Sequence, residues 1–124
     1  MKILLSMLLA ASSCSARADV IPIVWDAAQR FETTAPVAPG KFVEVCGTLA
    51  RGETVQWSFA SAVPLEFNIH YHQDRKVEYP VEPHATAQAS GRLVAAVRQD
   101  YCWMWSHRGT VAGELVLRLQ RTRP

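Results

Sequence analysis

Apolar and polar residues alternate along most of this chain, and a period of two predicts strands rather than helices. From Asp100 to His107, Tyr101, Trp103 and Trp105 fall on one side of an extended backbone and Cys102 and Met104 on the other. Both sides are apolar, which predicts a strand in the middle of a sheet. Leu65 to His72 alternates strictly, with Leu65, Phe67, Ile69 and Tyr71 burying and Asn68, His70 and His72 side by side on the polar face. Glu53 to Ala60 turns Val55, Trp57 and Phe59 inward, as a half-buried antiparallel strand requires. Two further runs, Gly91 to Val97 with Leu93, Ala95 and Val97 inward and Val111 to Arg121 with Leu115, Leu117 and Leu119, repeat the pattern.

Lys41 to Leu49 sorts Val43 and Val45 to one face and Phe42, Glu44 and Cys46 to the other. A bond from Cys46 to Cys102 would bury that second face, leaving Glu44 to be explained. Val20 to Trp25 is apolar but interrupted by Pro22, which suits a sheet edge, and Pro80 and Pro83 restrict Val77 to Val81 to an edge or an irregular ribbon. Between these runs, Asp26 to Arg30 reads as a helical turn or loop, and Ala35 to Gly40, Ser61 to Pro64, Gln73 to Lys76 and Arg108 to Thr110 as connections. Arg51-Gly52 and Gln99-Asp100 read as turns, and Ala85 to Ser90 carries no clear signal. Strands spaced about ten residues apart predict an all-β protein, a single antiparallel β-sandwich of about seven or eight strands. Trp57, Phe59, Trp103 and Trp105 are its expected core; Trp25 is the tryptophan expected to be exposed.

The beginning of the chain reads differently. Lys2 and the apolar run Ile3 to Ala11 have the form of an export signal, with Ala16-Arg17-Ala18 as the cleavage site, so residues 1–18 are a signal peptide and 19–124 the domain, best patterned over 41–121. Ala11-Ser12-Ser13-Cys14 is the alternative, a lipobox in which Cys14 carries a lipid anchoring the chain to the outer membrane. Either reading exports the protein, to the periplasm or beyond. Cleavage removes Lys2 and Arg17 and leaves eleven of the thirteen basic residues against eleven acidic ones. That balance gives no electrostatic reason to expect nucleic acid as a partner, and the mature part holds no apolar run long enough for a transmembrane helix. Arg118, Arg121 and Arg123 read as the polar side of the last strand. Under either signal reading the domain keeps two cysteines, Cys46 and Cys102, which in an oxidising compartment are expected to pair.

Several of these segments together carry a resemblance. Glu44-Val45-Cys46, Gly52-x-Thr54-Val55-x-Trp57-x-Phe59, Pro64-Leu65-x-Phe67-x-Ile69 and Gly91 leading to Tyr101-Cys102-Trp103-x-Trp105-Ser106-His107 resemble the GOLD domain of the p24 cargo receptors and their lipid-transfer relatives, over about residues 41–121. The resemblance implies a jelly-roll-like sandwich that binds proteins or lipids without catalysis, and a Cys46–Cys102 bridge. This chain departs from it in having no coiled coil or membrane span of the p24 kind, and His107 where asparagine is usual.

Candidate chemistry is sparse. His70-x-His72 puts two imidazoles on one strand face, where they could hold one transition-metal ion given further ligands, with His84, Glu78 and Met104 as candidates by residue type. A thioether from Met104 would favour copper; Glu78 and His84 would favour zinc, iron or manganese. A small cupin-type enzyme is a third alternative, although Glu78 lies six residues beyond His72 and no second cupin motif follows. There is no Gly-x-Ser-x-Gly, and Ser106 and His107 point to opposite strand faces, so no catalytic residue is assigned. The expectation is a non-catalytic envelope module with a protein or small-ligand partner and no cofactor; the alternative is a copper- or zinc-binding protein.

Overall fold

The computed structural model describes residues 19–124; the expected signal peptide over residues 1–18 and its lipidation alternative at Cys14 lie outside them. Seven strands form one curled sheet: β1 (Asp19–Pro22), β2 (Arg30–Val37), β3 (Phe42–Leu49), β4 (Thr54–Gln73), β5 (Lys76–Val94), β6 (Gln99–Ser106) and β7 (Gly113–Thr122). Among the described residues there is no helix. The sandwich is made by β4, whose 20 residues serve two neighbours in turn. Its first half pairs with β7 from Thr54 to Ser61, and its second half with β6 from Glu66 to His70. One wing is therefore β1-β3-β6-β4 and the other β4-β7-β2, while β5 follows β4 along its whole length.

Alternation decides which faces meet. Val43 and Val45 of β3, Tyr101, Trp103 and Trp105 of β6, and Phe67 and Ile69 of β4 are buried together with Leu115, Leu117 and Leu119 from the opposite wing. Phe59, on the first half of β4, contacts Phe67 on the second at 4.6 Å and Trp105 at 5.4 Å between ring centroids, so both halves of one strand meet across the core. At Gly91, opposite Trp57 in the ladder, a Cβ would lie 2.7 Å from the indole, so only glycine leaves room for that ring against β5. Trp25 is half-buried rather than exposed, with the Arg121 guanidinium 4.7 Å above its ring.

Several sequence expectations need correction. Ala35 to Gly40 is not all connection, because β2 runs to Val37 and pairs with β7 through Thr34↔Val116 and Val37↔Gly113. Ser61 to Pro64 is no link, and β4 passes straight through it. Ala85 to Ser90 is strand, and Gln99-Asp100 opens β6 instead of turning. The sheet is antiparallel except at β1, which runs parallel to β3. Most important for function, the face carrying Glu44 and Cys46 is not the core face: it is the outer surface of its wing, and both residues are half-buried there.

Candidate functional site

Cys46 and Cys102 are bonded, and they sit directly opposite one another in the β3–β6 ladder with their Cα atoms 4.2 Å apart. The same row continues onto β4, where His70 is registered against Cys102. The next row holds Glu44, Met104 and Asn68. Since cross-strand partners point to the same side of a sheet, five polar or sulfur-bearing side chains and one thioether share a single outward face.

His70 is the centre of this group. Only 5% of it is exposed, although it lies on the outer side of the wing. His72 packs edge-on against it at 5.3 Å and Tyr79 of β5 lies at 6.1 Å, so neighbouring rings shield it from water. Asn68 Oδ1 lies 2.7 Å from His70 Nδ1, and Glu44 Oε1 lies 3.3 Å from Nε2. The carboxylate left unexplained by the sequence thus faces an imidazole. In this orientation of the Asn68 amide, Nδ1 carries the proton and donates it to Oδ1, and the Nε2 lone pair is aimed at Glu44. Two acceptors facing one another need a cation or a proton between them.

Burial lowers the His70 pKa below its ordinary 6.5; the Glu44 charge opposes this and His72 reinforces it. The contact with Glu44 becomes an ion pair only when His70 is protonated. A histidine with a depressed pKa binds fewer protons folded than unfolded, so its contribution to stability is fully present above about 6.5 and is lost as pH falls through the lowered folded value. The melting temperature is expected to fall on acidification from about pH 7 to about pH 5, and His70→Gln, which cannot titrate in this range, to flatten that slope. Thermal melts across this range check it; equal slopes in the two proteins would show that other groups govern the acid limb.

The structure distributes the sequence candidates unevenly. His70, His72 and Met104 are on the outer face just described. His84 is registered against Phe67 and Glu78 against Tyr71, which places both on the core-facing side of the sheet, away from His70. His84 instead contacts Phe67 at 5.9 Å, and its Nδ1 bonds the Glu82 carbonyl at 2.9 Å. The trio that does bring metal-binding atoms together among the described residues is Glu44, His70 and Cys102, all within 4.8 Å of one another. Glu44 was not among the expected ligands, but its polar character within an otherwise apolar strand marked it. In the oxidised protein the Cys102 sulfur is committed to Cys46, which leaves two good donors, fewer than a structural metal site needs.

A second constellation closes one end of the sandwich. Glu53 is buried, accepts a bond from the Ala50 amide at 2.6 Å, and faces Arg121 at 3.7 Å and Arg123 at 3.4 Å. Arg121 is held in turn by the Gln29 carboxamide oxygen and by Trp25. These groups satisfy one another and have the character of a structural lock. On the far wing, an open, shallow groove of about 620 Å³ is lined by the charged Arg30, Glu32, Arg92 and Arg118 together with Trp57 and Leu119.

The architecture defines a class before any individual likeness: a small all-β module whose two wings share one strand and whose β3 and β6 are joined by a disulfide. No protein-family model matches the chain, and no curated protein matches it. Among solved structures, the chain is similar to the periplasmic inhibitor of g-type lysozyme from Aeromonas hydrophila, PliG, with a TM-score of 0.70 over 86% of this chain and 98% of that one, at 10% identity. It is also similar to the pre-peptidase C-terminal domain of a Bacillus anthracis collagenase, with a TM-score of 0.58 over 87% of this chain and 97% of that one, at 12% identity. At such identities the likeness is one of fold.

Proposed function

We propose that this chain is an exported, non-catalytic binding module whose partner is a protein of the cell envelope, with g-type lysozyme the first partner to test. The observation that carries the reading is that the fold is shared with PliG over 86% of this chain and 98% of that one. The likeness to GOLD domains points toward the same kind of role, binding without chemistry. Exposed apolar side chains are also available for contact, including Val77 and Tyr79 on β5 and Val111 in the β6–β7 loop.

The test uses the oxidised chain from residue 19 onward. Lysis of cell-wall substrate by g-type lysozyme is followed with increasing amounts of the chain, beside a lysozyme of another type, and complex formation is measured by calorimetry. Inhibition of the g-type enzyme with a stoichiometric complex is expected. Neither inhibition nor a complex would overturn the lysozyme assignment, and hydrolysis of cell-wall substrate by the chain alone would overturn the non-catalytic one.

A further inference from the structure

We infer that opening the Cys46–Cys102 disulfide creates a zinc site made of the two thiolates, His70 Nε2 and the Glu44 carboxylate. This rests on different residues and observations from the lysozyme reading. Cys46, Cys102 and His70 are three successive members of one transverse row, and Glu44 is in the adjacent row on the same face. The donor atoms of Glu44, His70 and Cys102 already lie within 4.8 Å of one another, and Cys46 stands beside Cys102. Two sulfurs, one imidazole nitrogen and one carboxylate oxygen make a four-donor set that suits tetrahedral zinc.

The surroundings are those of a metal ligand. A coordinating histidine usually donates its second N–H to an oxygen that fixes the ring, and Asn68 Oδ1 does this for His70. Its Nε2 faces the Glu44 carboxylate at 3.3 Å, so the two atoms are placed to share one divalent cation. His70 and Asn68 are almost fully buried, so the ring does not reorient freely in solvent. Both cysteines are half-buried, open enough for a reductant to reach them.

The chemistry balances with a dithiol reductant of the thioredoxin class. Two electrons and two protons pass to the disulfide, giving two thiols, and the reductant closes to its own disulfide. Zinc then displaces the two thiol protons to solvent. A disulfide oxidant then takes two electrons from the thiolates by exchange and becomes a dithiol, closing the Cys46–Cys102 bond and releasing the ion. The bridge and the metal are thus alternative occupants of the same two sulfurs.

To test this, the chain from residue 19 onward is reduced anaerobically with a phosphine and titrated with Zn²⁺, beside oxidised protein. Bound metal is counted by native mass spectrometry, and Co²⁺ is used separately to reveal thiolate coordination by its charge-transfer absorption. One zinc per reduced chain and none per oxidised chain is expected, with affinity at least about tenfold weaker in Cys102→Ser, His70→Ala and Glu44→Gln. Asn68→Ala should weaken binding by about 10–100-fold through the ring it holds. If reduction unfolds the chain, zinc is expected to restore the β-sheet circular dichroism, and no recovery overturns the proposal. It is equally overturned by a reduced, folded chain that binds no zinc, by equal binding to the oxidised chain, or by cobalt binding without a thiolate band.

Discussion

Replacing Cys46 and Cys102 together by alanine is expected to lower the unfolding free energy by about 4 kcal/mol. The bond joins residues 56 apart, and closing a loop of that length removes denatured-state entropy of about this size in the chain-entropy model. Domains commonly hold about 5–15 kcal/mol in all, so the loss is a large share of the stability. The ladder has support besides the bond. β3 and β6 are paired from Phe42↔Ser106 to Leu49↔Gln99, and Val43, Val45 and Trp103 on their inner side are buried in the core. The double variant is therefore expected to fold to the same sheet and to unfold at a urea concentration lower by roughly 2 M, given an ordinary denaturant slope. An unchanged midpoint in equilibrium urea unfolding would mean that the bridge is incidental to stability.

The second large effect belongs to Trp105. Its ring is fully buried, lies nearly parallel to Phe67 at 5.4 Å and takes the edge of Phe59 at 5.4 Å, so it bridges the two halves of β4. Trp105→Ala is expected to cost about 3–5 kcal/mol, the range for emptying a large aromatic site in a packed core. Trp105→Phe should cost clearly less, for a reason beyond volume. The indole Nε1 of Trp105 is buried with no hydrogen-bond partner among the described residues, and an unmet buried donor costs about 1–3 kcal/mol. Phenylalanine removes that donor while retaining an aromatic face. Urea unfolding of both variants checks the ranking, and a Phe variant as unstable as the Ala variant would show that indole shape dominates.

Strands whose inward positions are large and regular were legible from the sequence. Val55-x-Trp57-x-Phe59, Leu65-x-Phe67-x-Ile69 and Tyr101-x-Trp103-x-Trp105 each announce a face, and each face is buried. β2 was obscured because its inward positions beyond Phe31 are Thr33, Ala35 and Val37, too small and mixed to stand out, and because Pro36 resembles a breaker. The continuity of β4 was hidden by Pro64. That residue lies inside the register shift between Ala60 and Leu65, after pairing with β7 has ended at Ser61 and before pairing with β6 begins at Glu66, so no ladder requires its missing N–H. Pro80 and Pro83 likewise fall within register shifts of β5.

The site was half legible for a related reason. Asn68, His70 and His72 were placed side by side by their own strand, and they are neighbours in the fold. Joining them to Glu44, rather than to His84 or Glu78, required knowing that β4 lies next to β6 and that the β5 irregularities put His84 and Glu78 opposite Phe67 and Tyr71. Local alternation contains neither fact. It also could not tell which side of β3 faced inward, since valines and a cystine are both plausible core occupants.

One backbone, that of β4, is threaded through both wings. Neither wing can peel away while the other stays intact, because the strand to be released is also the floor of its neighbour. Loosening one wing therefore disturbs the very strand on which the other is built.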